Sequence, residues 1–370
     1  MTLEPDSPDA LADCIRAAPH CLAVGAGTKP NLAATAPEKF RRVSTRRLTG
    51  IVDYEPSEFT VTVRAGTPVA EIESVLAAEG QYLPFDPPLA RAGATIGGTV
   101  AAGLSGSGAC RFGPIRDFLI GVRFVDGEGR LVTGGGKVVK NAAGFDLPKF
   151  LIGSLGRLGA LAELTFKVFP KPEASVTFAI QRMAPFNAAR LLNRIGRSSL
   201  DLDAMACDPE GEILWGRLAG NESALEKRLE RVRSEIQREY EFTVTTPEAG
   251  ARFWESLREF TWLPPKSPLV KIPIPIGGGA EIEPLKGTRF DHLWPHPGPR
   301  FYDLGGNVIW ATTASELEKF LQIRNFTGLI LRGHGESAHS LWFGAPRPET
   351  AIARALKHAL DPHDRFPPLT

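Results

Sequence analysis

Between Pro87 and Gly103 the chain reads Pro-Pro-Leu-Ala-Arg-Ala-Gly-Ala-Thr-Ile-Gly-Gly-Thr-Val-Ala-Ala-Gly, a run with almost no side-chain volume and no negative charge. Such a run cannot fill a core by itself. It lets backbone come close to something flat, with N–H groups as donors and the Thr95 hydroxyl as a further partner. A tight helix–sheet contact would account for some of the glycines; a run of this length points further, to a flat ligand and its phosphates. A second loop of the same character, Gly25-Ala26-Gly27-Thr28-Lys29-Pro30, follows the short apolar strand Leu22-Ala23-Val24. A Rossmann fingerprint wants a third glycine where Pro30 stands. Gly134-Gly135-Gly136-Lys137 fails as a Walker A loop, because Leu131 replaces its first glycine and Val138 its Ser or Thr. What survives is a strand followed by a loop able to aim successive N–H groups at an anion.

The surrounding pattern predicts alternating helices and antiparallel strands. Ser7 and Pro8 suit the start of a helix that carries Leu11 and Ile15 on one face. Phe59, Val61, Val63 and Ala65 alternate with polar residues as in a half-buried strand. Thr67-Pro68 is expected to cap a helix with Val69, Ile72 and Leu76 inward, stopped at Gly80. Gly121–Thr133 reads as a hairpin turning near Asp126-Gly127, and Leu164–Phe169 as a strand. Pro170-Lys171-Pro172 marks a boundary.

Beyond it, strands at Ser175–Ile180, Asp203–Cys207, Glu212–Leu218 and Phe242–Thr245 bracket helices at Phe186–Ile195 and from Ser223, a β-α-β-β-α-β order. The second helix is expected to use Ser223 and Glu226 as a capping box and to bury Leu225, Leu229, Val232 and Ile236. The prolines from Pro264 to Pro275 predict a loop-dominated stretch, followed by a helix at Ala314–Asn325 and a strand at Leu329–Arg332. The expected division is 1–172, 173–345 and a tail at 346–370.

With a formal net charge of +1, nothing favours nucleic acid or an anionic surface. The four cysteines, Cys14, Cys21, Cys110 and Cys207, form no ligand-like cluster, which argues against an iron–sulfur centre in this chain. Their spacing and the size of the chain imply a reducing cytoplasm. No apolar run reaches membrane-spanning length, and the N-terminus lacks a signal-peptide pattern.

Four stretches carry a family resemblance: Val24–Asn31, Ala65–Pro88, Gly93–Gly103 with Arg111–Gly121, and Lys140–Glu163. The last, KNAAGFDLPKFLIGSLGRLGALAE, is the most specific. Their order resembles the FAD-linked oxidases of the vanillyl-alcohol oxidase fold, which carry the type 4 FAD-binding domain. Within that group the run is most similar to the small FAD-binding E subunits of bacterial glycolate oxidases. The resemblance implies an α+β fold, with a two-lobed FAD-binding domain followed by a ferredoxin-like α+β cap. It implies that Gly25, Ala26, Gly27, Thr28, Lys29 and Asn31, together with Pro88, Gly93, Ala94, Thr95, Gly97, Gly98, Ala101 and Gly103, hold the pyrophosphate, ribityl chain and flavin. Gly159 and Leu161 would lie at the adenine end, with Lys140, Asn141 and Asp146 as less direct candidates. Asp146 could equally cap the helix that starts near Pro148. No histidine lies between His20 and His292, and neither Cys21 nor Cys110 matches an attachment position, so non-covalent FAD is expected.

The likeness also breaks. Larger catalytic members carry a histidine metal site beside the flavin; here the nearest approach is His334, Glu336 and His339, in Arg332-Gly-His-Gly-Glu-Ser-Ala-His339. Their spacing does not by itself bring both imidazoles to one ion, and no metal is expected. The tail Asp361–Thr370 lacks the glycine-arginine ending of such proteins. Two classes stay open. The chain could oxidise a 2-hydroxy acid itself, with Arg332 or Arg111 on the carboxylate and His334 as base. Alternatively it is a flavin-bearing subunit whose partners, a larger flavoprotein and an iron–sulfur chain, complete the complex and tether it at the inner membrane. The missing histidine site favours the second. A third class, an assembly module with an empty flavin fold, would be colourless.

Overall fold

The computed structural model describes residues 2–34, 38–136, 146–181, 191–192, 194–196, 198–208, 213–236, 239–274, 298–303, 307–333, 340–347 and 349–369. The chain divides into two compact units: Met1–Ser105 with Gly113–Lys171 and Pro348–Thr370, and Gly106–Phe112 with Pro172–Arg347. Both mix helices with largely antiparallel sheets, so the fold is α+β.

In the first unit, strands β1 (Cys21–Val24) and β2 (Arg41–Ser44) pair in parallel. A separate five-stranded antiparallel sheet is built from β3 (Ile51–Glu55), β4 (Thr60–Arg64), β6 (Leu119–Val125), β7 (Leu131–Gly135) and β8 (Ala160–Lys167), in the order β3-β4-β8-β6-β7. The short strands β5 (Gln81–Tyr82) and β9 (Phe169–Pro170) form a third pair. Helix α1 (Pro8–Ala17) starts as its sequence predicts: the Ser7 hydroxyl accepts the Ala10 N–H at 3.2 Å. Its Leu11 and Ile15 pack with Val125 and Ala160. Asp126 closes the β6–β7 turn by accepting the N–H groups of Glu128 and Arg130, both at 2.9 Å.

Helix α2 (Pro30–Ala34) follows the first glycine loop, and α3 (Val69–Ala78) buries Val69, Ile72 and Leu76. The expected cap at Thr67 is absent. Its hydroxyl donates to the Arg64 carbonyl at 2.7 Å and accepts the Gly50 N–H at 3.0 Å, which ties the turn after β4 to the neighbouring loop and leaves Pro68 at the N-cap position.

The second unit carries one nine-stranded sheet. Its strands β10 (Ala174–Gln181), β11 (Ala204–Asp208), β12 (Ile213–Gly220) and β13 (Glu241–Val244) lie in the order β13-β10-β12-β11, the arrangement of a ferredoxin-like β-α-β-β-α-β unit. The sheet continues through β14 (Leu269–Pro273), β15 (Arg300–Asp303), β16 (Val308–Ala311), β17 (Thr327–Arg332) and β18 (Trp342–Gly344), in the order β15-β16-β14-β17-β18. The helix Glu222–Ile236 buries Leu225, Val232 and Ile236 with Phe178, Ile180 and Leu214 of the sheet.

Three local readings are corrected. The Ser223–Glu226 capping box gives way to Asn221, whose side-chain oxygen accepts the Ser223 N–H at 3.1 Å. The proline-rich stretch holds an inner strand, β14, because its prolines stand at or beyond its ends while Val270 and Ile272 are fully buried. A helix at Pro247–Glu259, capped by the Thr246 hydroxyl, follows where no element was expected. The final stretch contains the helix Ala351–Leu360 and belongs to the first unit.

Candidate functional site

The two glycine segments meet. The backbone of the second is laid beside the turn after β4: the Ile96 N–H donates to the Thr67 carbonyl at 3.0 Å, the Gly97 N–H to Ala65 at 2.8 Å, and the Val69 N–H to Ala94 at 2.8 Å. Helix α4 (Ile96–Ala102) then begins, with the Thr95 hydroxyl accepting the Gly98 N–H at 3.3 Å. Thr95 stands against the first loop so closely that a Cβ on Gly25 would lie 2.3 Å from its hydroxyl. Only a bare backbone can pass there.

Between the segments lies an open-sided cleft lined by Gly25, Ala26, Gly27, Thr28, Lys29, Thr95, Gly98 and Ala101. These eight are the sequence-predicted residues that the structure brings together. Val24, Leu32, Ala33, Ala102 and Leu155 also line it and were not singled out. Leu155 lies in the Gly153-Ser154-Leu155-Gly156 run of the most specific motif, and it takes a left-handed conformation at φ 55°. That is unusual for leucine and invisible in a pattern of side chains.

The remaining expected residues lie outside the lining. Asn31, Pro88 and Ala94 are buried, and Gly93 is half-buried. Gly97 packs on Ala65, Gly103 ends α4, Gly159 abuts Phe124, and Leu161 is a buried residue of β8. Asp146 precedes the short helix Leu147–Leu151 without capping it, and its carboxylate pairs with Lys149. Lys140 and Asn141 lie outside the described residues.

The cleft is built for an anion. Lys29 is only 8 % exposed, and its ammonium donates to the Thr28 hydroxyl at 3.1 Å. No carboxylate among the described residues offsets its charge, so burial pulls its pKa down to about 8. Beside it, the N–H groups of Ala26, Gly27 and Thr28 have no acceptor among the described residues. Gly27 takes φ 77°, and a Cβ added there would meet nothing within 4 Å. Successive N–H groups with no acceptor among the described residues, a lysine with no carboxylate partner among them, and small walls on both sides fit the pyrophosphate of a dinucleotide.

The catalytic candidates fare differently. Arg111 is held by Asp201 at 2.8 Å and Asp203 at 2.9 Å, which leaves little of its charge for a substrate carboxylate. Arg332 donates to the Ser267 carbonyl, and burial lowers its pKa. His334, Glu336 and His339 lie outside the described residues, and no metal-ligand cluster occurs among those described. Burial pushes the Cys21 and Cys110 thiols up to about 12, far from thiolate chemistry at neutral pH.

A family model described as an FAD binding domain matches residues 1–135. The glycolate oxidase subunit GlcE of Escherichia coli K12 is 33% identical over 328 residues, which cover 86% of this chain and 83% of that subunit. The chain belongs to the GlcE family of FAD-binding oxidoreductases. FAD is the cofactor of such a chain, and the cleft fits it. The glycolate oxidase subunit GlcD of Bacillus subtilis 168 is 31% identical over 132 residues, 36% of this chain and 28% of GlcD. Thus the GlcE-family chain shares with GlcD only a limited stretch. Among solved structures, an alkyldihydroxyacetonephosphate synthase superposes with a TM-score of 0.68 at 17% identity, over 98% of this chain and 75% of that one. At that identity the likeness speaks for the fold alone. It agrees with the expected vanillyl-alcohol oxidase type.

Proposed function

We propose that this chain is the FAD-binding subunit of a glycolate oxidase-like 2-hydroxy-acid dehydrogenase complex and passes electrons through its flavin to partner subunits. The observation that carries this reading is the similarity to GlcE along most of both chains. The state of the cationic side chains supports it: Arg111 is already neutralised by two carboxylates, while Lys29 is held ready in the cleft. The partners are a larger flavoprotein, which shares the FAD domain, and an iron–sulfur chain; the 2-hydroxy acid is the substrate of the whole. The assembly is cytoplasmic and peripheral at the inner membrane through those partners. No helix of the described residues is long and apolar enough to cross a membrane by itself.

Each group in the cleft has a role in this reading. The N–H groups of Ala26, Gly27 and Thr28 and the Lys29 ammonium bind the pyrophosphate. The Thr95 hydroxyl fixes the start of α4, and Gly98 and Ala101 give the cofactor room. Gly93, Ala94, Gly97 and Gly103 shape the segment that carries these contacts, and Gly159 and Leu161 the adenine side. Bound FAD supplies a centre that accepts and releases electrons; the protein contributes binding, orientation and exclusion of water. Residues 1–172 form the FAD-binding domain and 173–345 the substrate-side domain.

Two measurements test the reading. The protein purified alone is expected to be yellow, and anaerobic glycolate or D-lactate is expected to leave its visible spectrum unchanged until the partner chains are added. Bleaching of the isolated chain by either acid would make it an enzyme in its own right, and a colourless chain that takes up no FAD would make it an assembly module. Acid precipitation is expected to leave all the FAD in the supernatant, because neither the Cys21 nor the Cys110 thiol is ionised at neutral pH; flavin in the pellet would establish a covalent link.

A further inference from the structure

The last residues of the chain are bonded to the cleft wall in a way its sequence does not announce. Arg157 is 3% exposed. Its Nε donates to the Pro368 carbonyl at 2.7 Å, and its Nη1 donates to the Leu155 carbonyl at 3.1 Å. Burial lowers its pKa to about 10. Lys357, equally secluded, donates to the Arg157 carbonyl at 2.8 Å, to Asp361 at 2.6 Å and to the carbonyls of Phe366 and Pro367 at 3.0 and 3.2 Å. Asp361 in turn accepts the N–H groups of Arg365 and Phe366, each at 2.9 Å. The segment is therefore a loop closed on itself by the Asp361 and Lys357 hydrogen bonds, clasping the Arg157 guanidinium.

That guanidinium acts on the cleft through Leu155. On one side the Gly153 and Leu155 N–H groups donate to the Val100 and Ala101 carbonyls of α4, at 3.0 and 2.8 Å. On the other the Leu155 carbonyl faces Arg157. Leu155 and Ala101 both line the cleft. A left-handed leucine costs about 1 kcal/mol and persists only where its surroundings over-determine it. Here the guanidinium fixes the carbonyl end and α4 the amide end.

We infer that Arg157 is a positioning residue for FAD: anchored by the C-terminal segment Asp361–Pro368, it holds Leu155 in the shape that completes the cleft wall. This rests on the assignment of the cleft to FAD. A lysine at 157 keeps the charge but cannot span the Leu155 and Pro368 carbonyls together. A methionine keeps most of the volume and neither bond.

The test compares wild type, Arg157→Lys and Arg157→Met in the full chain. It uses FAD titration of the apoprotein, far-UV circular dichroism, and hydrogen exchange of the apoprotein resolved at the Leu155 amide. Expected are an unchanged circular dichroism spectrum, FAD affinity lower by on the order of tenfold in Arg157→Met and by less in Arg157→Lys, and faster exchange at Leu155 in both. Folded variants with unchanged FAD affinity overturn the inference, whatever their exchange. If Arg157→Met fails to fold, Arg157→Lys decides by the same criteria; if neither folds, Arg157 serves the fold alone and the inference fails. Lys29→Met is the control for the cleft itself. An unchanged FAD affinity in Lys29→Met would refute the cleft assignment, whereas a change there with none at Arg157 would refute only the positioning role.

Discussion

Lys29→Met is expected to make the apoprotein more stable and its grip on FAD weaker. The free protein keeps a nearly buried ammonium with no carboxylate beside it among the described residues, and burial lowers its pKa from 10.5 to about 8. That displacement corresponds to a folding penalty on the order of 3 kcal/mol while the lysine is charged. Methionine fills similar space without a charge, so the apo melting temperature should rise by several degrees. The pyrophosphate would lose a charge-assisted partner, and FAD affinity should fall about 10- to 100-fold.

The pH dependence carries the same signature with a definite sign. Between about 8 and 10.5 the unfolded chain holds a proton on Lys29 that the folded apoprotein has lost. Apoprotein stability should therefore contain a component that rises with pH across that window and is missing from Lys29→Met. FAD affinity should move the other way. It should be highest below pH 8, where the lysine is already protonated, and decline above it, because binding must then take up a proton. Thermal melts and FAD titrations at pH 7, 8.5 and 9.5 on both proteins would measure this; an apo stability lowered by Lys29→Met would show that the ammonium is satisfied within the protein after all.

What the sequence disclosed, and what it withheld, follows from the range of the interactions. Ser7 and the Asp126 turn act over a few residues, and the structure keeps them as read; β4 keeps Val61 and Val63 buried, but Phe59 stands exposed in a left-handed conformation before the strand and Thr60 is buried. The two glycine segments were legible because an anion site leaves an unusual composition, and the eight residues lining the cleft from Gly25 to Ala101 came from them. Thr67 misled because its hydroxyl had better partners in Arg64 and Gly50 than in the helix it precedes. Strand β14 was hidden by prolines that matter only inside a ladder, not at its ends. Leu155, Arg157 and Lys357 could not be found from pattern at all. Apart from the Lys357–Asp361 pair, their partners are backbone carbonyls, up to 211 residues distant for the Arg157–Pro368 pair, and carbonyls have no sequence.

Gly97→Val and Gly98→Val are expected to part company, although sequence alone places both against the cofactor. At Gly97 an added Cβ would lie 2.7 Å from the Ala65 carbonyl oxygen and 2.8 Å from the Ala65 Cβ, and the Gly97 N–H already donates to that same carbonyl. The obstacle is backbone at the end of a core strand, which cannot swing aside. Overpacking and the strained hydrogen bond together should cost about 2–4 kcal/mol, read as a large fall in melting temperature. At Gly98 the nearest atoms are the Thr95 hydroxyl at 3.0 Å and the Lys29 ammonium at 4.0 Å, both facing the cleft. A valine there protrudes into the space assigned to FAD while disturbing the fold by no more than about 1 kcal/mol through the Thr95 cap. Gly98→Val should therefore purify folded and colourless, and Gly97→Val should unfold early whether or not FAD is supplied. A yellow Gly98→Val with wild-type FAD affinity would place the cofactor elsewhere. A Gly97→Val that melts like wild type but lacks flavin would mean that this face of α4, and not the Gly98 face, meets the ligand.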